Sequence, residues 1–276
     1  MRRASIPGSR TGSAPWPNRW RSPRSATGSP NTGRRVRPSA STCPRTPVRR
    51  DRDLTTIYLC LLGEFTEPQQ RILTVTQEYL GLFFDVPVEV RQRVPLADIP
   101  GRARRTHPEW GDEQILATYL LHEVLEPDRP EDALAYLALT ASDLWPGAGW
   151  NFVFGQANLR QRTGVWSIYR NGDPGDDFTL CLRRTLGTAS HELCHVLTLH
   201  HCTAFRCLMN GSNHQQERDQ RPLHPCPVCL RKLCWNLRAE AVPYLMKLNT
   251  FCQQNRLDPE SGWYERALEA LAGGNE

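Results

Sequence analysis

Between Leu54 and Tyr169 the chain alternates short apolar runs with amphipathic stretches. Thr56 to Leu62 is a continuous apolar run of strand length. Thr66 and Gln69 are spaced as a capping box for a helix that carries Ile72, Val75, Tyr79, Leu80 and Phe83 on one face. Val86 to Val90 predicts a second strand. After a turn-rich stretch, Ile115, Leu116, Tyr119, Leu120 and Val124 recur at helical spacing until Pro127 stops them. Leu134 to Thr140, Asn151 to Gly155 and Gly164 to Tyr169 predict three further strands. A second long helix is expected to begin near Asp176–Phe178, with Asp177 as its cap, and to bury Leu182, Leu186, Ala189, Leu193 and Leu197 at steps of three and four. Beyond Cys234, Leu237, Ala241, Tyr244, Leu245 and Leu248 suggest a helix interrupted near Pro243, and Trp263 to Leu271 a last short one. Strands and helices in this order predict an α+β fold, a mixed sheet packed with helices.

Residues 1–50 break the pattern. They hold twelve Arg, eight Pro and eight Ser, no acid, and beyond the initiator only Ile6 from the group Leu, Ile, Met and Phe. Such a segment cannot bury enough apolar surface to offset its ordering entropy, so it reads as a disordered tail. A solvated tail, a transit-like segment spoiled by its prolines and a basic arm for nucleic acid are the three readings. The overall charge of +5 is set by this tail: removing its twelve Arg from 34 basic residues leaves 22 against 29 acidic, about −7 for residues 51–276. No apolar run of 18 residues and no secretory core is present, which predicts a soluble, cytoplasmic protein without membrane contact.

Ten cysteines in such a compartment are expected as thiols or metal ligands. Cys43, Cys60, Cys181 and Cys252 are scattered, whereas Cys194, Cys202, Cys207, Cys226, Cys229 and Cys234 crowd together. His191 and His195 stand at i and i+4 within H-E-L-C-H, so on a helix both imidazoles leave one face and can share a metal, with Glu192 beside them. The helix must break after Leu197 for the chain to double back and deliver a third ligand; His201 is the candidate.

The whole pattern, His191-Glu192-x-x-His195-x-x-Thr198-x-x-His201-Cys202, Cys207-x-Met209 and Cys226-x-x-Cys229, resembles the archaemetzincins, a branch of the metzincin zinc peptidases. Asp143 to Pro146, Trp150 to Gly155 and Cys226 to Leu233 are similar too, so the likeness runs from about Ile57 to Leu233. The resemblance implies a zincin-like fold for residues 51–276, with residues 51–197 as the part ending in the active-site helix and 198–276 as a C-terminal part. It implies His191, His195 and His201 as ligands of a catalytic zinc, Glu192 as the general base of peptide-bond hydrolysis, and Met209 as packing beneath the metal. Cys202, Cys207, Cys226 and Cys229 would hold a second, structural zinc in a closed four-thiolate site, for two Zn2+ per chain; free thiols or a redox pair are the alternative. Cys194 is expected to face the protein, and His214 and His224 to lie in a polar loop, with His224 a substitute ligand should one Cys fail. Arg221 either fixes that loop or meets a substrate carboxylate.

One position departs from the family pattern. Thr198 stands where the metzincins carry Gly, at a turn that needs a left-handed backbone costly for a β-branched residue. Either the turn is rebuilt or the third ligand is displaced, with His200 as its competitor. The expected function is therefore a zinc peptidase, aminopeptidase-like or otherwise, acting as a monomer on peptides or proteins. A catalytically impaired, zinc-stabilised binding or regulatory protein is the alternative, and a nucleic-acid module a weaker third.

Overall fold

The computed structural model describes residues 51–212 and 214–273. The Arg-rich tail and Cys43 lie outside the described residues.

Strand β1 (Thr56–Leu62) leads into helix α1 (Glu67–Phe84), whose start carries the expected capping box between Thr66 and Gln69. Strand β2 (Val88–Val94) follows, then β3 (Arg104–Thr106) and β4 (Glu113–Leu116). Short α2 (Ala117–Tyr119) and α3 (Glu126–Asp128) flank a π-helical stretch, Leu120–Leu125. Strands β5 (Ala133–Thr140), β6 (Asp143–Trp145), β7 (Gly155–Asn158) and β8 (Thr163–Ser167) precede α4 (Phe178–Val196). Four helices complete the chain: α5 (Gln215–Gln220), α6 (Pro227–Leu237), α7 (Ala241–Gln254) and α8 (Asp258–Ala272).

The main sheet runs β2-β1-β5-β8-β7, parallel except for β7, which pairs antiparallel with β8 at the edge. A second sheet, β3-β4-β6, lies beside it. Every residue of β5 is buried, as a central strand covered on both faces requires. One face of the sheet packs on α1, α4 and the C-terminal helices through Leu59, Phe83, Leu137, Trp166, Leu186, Leu230 and Leu245. The other packs on the helical segment 117–128 through Leu62, Leu120, Leu125, Tyr136 and Val165. Mixed sheets sandwiched by helices make the α+β class expected from the pattern.

Several elements differ from their sequence expectations. The second strand begins at Val88 and continues through Arg91 and Arg93, because an edge strand tolerates polar residues on its exposed side. Ile115 and Leu116 belong to β4, and the helix starts only at Ala117. Trp150–Phe154 is a loop whose Phe152 ring packs tilted against Trp110 and edge-on against Phe154, with centroids 6.1 and 5.2 Å apart. The strand lies after it, in the polar edge segment Gly155–Asn158. Pro243 does not interrupt a helix: it sits in the first turn of α7, where a missing N–H breaks no internal bond.

Candidate metal centre

Helix α4 presents the first ligand pair. Asp177 caps it by accepting from the Leu180 amide at 2.9 Å, and Leu182, Leu186, Ala189 and Leu193 bury one side in the core. His191 and His195 leave the adjacent face, one turn apart. The helix closes at Leu197 with Thr198 left-handed, φ +67°. Thr198 N donates to His195 O at 2.8 Å and Leu199 N to Cys194 O at 2.9 Å, a Schellman pair of bonds. The turn is thus made with the threonine in the conformation Gly would adopt, neither rebuilt nor accompanied by loss of the third imidazole. Bound through its own amide and exposed to solvent, Thr198 bears a strain of about 1–2 kcal/mol.

The chain then doubles back and brings His201 to the pair. One ring nitrogen from each of His191, His195 and His201 lies within 4.8 Å of the others. His200 is exposed and outside this group. Two backbone carbonyls orient the rings: Leu208 O accepts from His191 Nδ1 at 2.9 Å, and Leu199 O from His195 Nδ1 at 2.7 Å. Those bonds fix the hydrogens on Nδ1 and turn both Nε2 lone pairs inward, where they face each other at 3.0 Å. Two lone pairs so close repel unless a cation lies between them. Tetrahedral zinc with Zn–N near 2.05 Å separates its nitrogens by about 3.3 Å, so the spacing suits the ion.

Burial, then the charge of Arg221, holds His191 well below the ordinary imidazole range. Burial also pulls His195 down to about 4, against its bond to Leu199, and lowers His201. Neutral imidazoles are the form that ligates metal. Glu192 is pushed up to about 7 by burial, opposed by Arg221 and Arg218. Its Cγ lies where a Cβ on Gly155 would come within 3.1 Å, so the start of edge strand β7 passes directly against it.

Cys202, Cys207, Cys226 and Cys229 bring four buried sulfurs within 4.8 Å of one another. Cys202 Sγ and Cys226 Sγ are 3.9 Å apart, close to the edge of about 3.8 Å of a zinc–thiolate tetrahedron. Amides of Met209 and Cys226 point at Cys207 Sγ (3.4 and 3.1 Å), and the Cys229 amide at Cys226 Sγ (3.5 Å) at the start of α6. Hydrogen bonds from Cys207 and Cys229 hold Cys226 down toward the thiolate. Among the described residues the other cysteines stand apart from this cage, and Cys194 is fully buried in the core, as expected.

Met209 is wholly buried, and its carbonyl accepts from the Cys202 amide at 2.8 Å. His224 is no substitute ligand: its ring stacks on Trp263 at 3.8 Å. His214 is exposed and caps α5. Arg221 resolves its two readings in favour of the loop, donating to Gly187 O and Asn210 O at 3.2 Å from a buried position. Its Nη1 also lies 3.0 Å from His191 Nδ1, but both groups are donors there, so the carbonyls are its partners. The orienting carbonyls of Leu199 and Leu208 and the approach of Gly155 carried no sequence signal, since any residue supplies a carbonyl.

A family model described as Peptidase family M54 matches residues 120–234, the stretch that holds all seven candidate ligands and Glu192. The Archaemetzincin of Thermococcus kodakarensis is 40% identical over 129 residues, which span 45% of this chain and 68% of that protein. The chain belongs to the archaemetzincin family. Archaemetzincins are zinc-dependent metallopeptidases. The crystal structure of the archaemetzincin from Methanopyrus kandleri superposes with a TM-score of 0.55 at 28% identity, covering 69% of this chain and 99% of that one. Archaemetzincin-2 of Macaca fascicularis is 30% identical over 218 residues, 66% of this chain. Against such longer archaemetzincins the match spans little more than half their length, 59% in that instance. Among the described residues no helix is long and apolar enough to cross a membrane.

Proposed function

We propose that this chain hydrolyses peptide bonds at the three-histidine pocket, with His191, His195 and His201 holding a zinc ion and Glu192 acting as general base. The observation that carries this reading is the pair of inward-facing Nε2 atoms, 3.0 Å apart, both turned there by carbonyls bound to Nδ1. When bound, zinc supplies the Lewis acidity that polarises a peptide carbonyl and lets water give up a proton near neutral pH. Glu192, held near 7 by burial, is suited to take that proton and to return it to the departing amine. The free edge of β7 runs past Glu192 and can pair with an extended substrate backbone, bringing the scissile bond to the carboxylate. The thiolate cage, with all four positions occupied by cysteine, has no site for water or substrate and serves as a structural zinc site, giving two zinc ions per chain.

Thr198 in its left-handed conformation, with His201 still beside the other two rings, supports an intact catalytic site over an impaired one. The test is Glu192→Gln. It should keep the zinc content of the parent protein and lose peptide hydrolysis by a factor on the order of a thousand or more. Equal turnover by parent and variant would reject the role of Glu192. An aminopeptidase-like preference is read from one peptide offered with a free and an acetylated amino end: faster cleavage of the free form supports it, equal rates contradict it.

A further inference from the structure

The segment 199–211 contains no helix or strand, yet three of the seven candidate ligands and both carbonyls that orient the helix histidines lie in it. Leu199 O orients His195, His201 is a candidate ligand, and its neighbour Cys202 belongs to the thiolate cage. Cys207 is the cage's second sulfur from this segment, and Leu208, the next residue, orients His191 through its carbonyl. Gly211 lies against His201, where a Cβ would come within 3.1 Å of Nδ1. Within it Cys202 N donates to Met209 O, Asn210 N to Cys207 O, Met209 N to Cys207 Sγ, Cys207 N to Asn210 Oδ1, and Asn210 Nδ2 to the Cys202 and Phe205 carbonyls. The other half of the cage, Cys226 and Cys229, stands on α6.

Building on the proposed zinc chemistry of the histidine pocket, we propose that the thiolate cage is the device that assembles that pocket. Metal bridging Cys202 and Cys207 to Cys226 and Cys229 closes the irregular segment on α6, and so fixes His201 and the Leu208 carbonyl relative to α4. Ordering a dozen irregular residues carries a large entropy cost, which without the cage would fall on the histidine pocket and on the bonds that Asn210 O accepts from Arg221, Leu208 N donates to His224 O and Arg206 donates to Gln220 O. Cys202 and Cys207 are then positioning residues for a metal they do not touch. Linkage makes the effect reciprocal: whatever factor cage filling adds to affinity at the histidines, histidine occupancy adds at the cage.

The test is metal affinity, not turnover. Co2+ and Zn2+ are titrated into the full chain and into Cys226→Ser/Cys229→Ser, whose substitutions lie outside the segment, with Cys252→Ala in α7 as the control for loss of a buried thiol. Cobalt at the cage is recognised by its thiolate charge-transfer absorption and cobalt at the histidines by its ligand-field bands; zinc affinities come from chelator competition. We expect histidine-pocket affinity to fall about 10–100-fold in the double variant, the range seen when groups orienting a ligand are lost, and to be unchanged in Cys252→Ala. Unchanged affinity in the double variant overturns the proposal.

A folding defect in that variant is bypassed by withdrawing metal stepwise from the fully loaded parent protein while alkylating exposed thiols. A species with ligand-field bands intact and all four cage thiols alkylated overturns the coupling. Loss of both signals together supports it. A parent chain whose histidines never bind cobalt or zinc overturns the reading of the pocket itself, and this proposal with it.

Discussion

The amide of Thr198 donates to the carbonyl of His195 at 2.8 Å, so the residue that ends α4 is bonded to one of the residues that carry the metal-facing imidazoles. Its companion, the bond from the Leu199 amide to the Cys194 carbonyl at 2.9 Å, requires the left-handed backbone at Thr198, and a β-branched side chain resists it. Thr198→Gly removes that resistance, about 1–2 kcal/mol, and adds back part of it as unfolded-chain entropy. The variant should be more stable by about 0.5–1 kcal/mol, read as a higher urea midpoint at constant m, with peptidase activity retained. Thr198→Pro cannot adopt positive φ and should lose the histidine-bound metal.

Much of this site is written in side chains, and that part is legible. The i, i+4 histidines, the paired cysteine spacings and the cap at Asp177 each have a local reason to be where they are. Strand β7 was not legible because Gly155–Asn158 is an edge segment with no buried face, while the apolar Trp150–Phe154 beside it forms a loop with tilted and edge-on ring contacts. Likewise Ile115 and Leu116 of β4 share one apolar run with the helix after it, so periodicity alone read them as helix and gave no sign of the strand. The carbonyls that orient the imidazoles leave no trace in the sequence at all.

Gly155 brings the start of β7 against the proposed base. A Cβ there would meet Glu192 Cγ and Val165 O at 3.1 Å and Trp166 Cβ at 3.2 Å, and the Val165 carbonyl belongs to the sheet and yields little. Gly155→Ala should therefore cost about 1–3 kcal/mol of stability and displace Glu192, lowering kcat by about tenfold or more with zinc content unchanged. Calorimetry and metal analysis beside steady-state kinetics check this; a variant with the parent's kcat would separate Gly155 from the site.

Removal of the Arg221 guanidinium should loosen the loop behind the histidines. Arg221→Leu leaves Gly187 O and Asn210 O without their buried donors, and a loss of about 2–4 kcal/mol is expected by urea denaturation. A change under 0.5 kcal/mol would mean that the loop is held elsewhere.

Helix α5, which precedes Arg221, makes stability acid-sensitive. Burial alone would raise the Asp219 carboxyl, but the bonds from Arg184 and Gln215, at 2.6 to 2.8 Å, outweigh it and hold the group below its ordinary value. A carboxylate depressed on folding contributes stability in full above its unfolded pKa, and the contribution is lost as pH falls through the folded one. Asp219→Asn should therefore lower stability at neutral pH and flatten its decline below pH ~4. Parallel pH–stability curves for parent and variant would remove Asp219 from that account.

Zinc-edge anomalous diffraction from crystals of the zinc-loaded full chain tests the central claim most directly. The account predicts two peaks, one among the four cysteine sulfurs and one bounded by His191, His195 and His201 at about 2.0–2.1 Å from each ligating nitrogen, with Glu192 beside it. A peak in the thiolate cage alone, under saturating zinc, would contradict it.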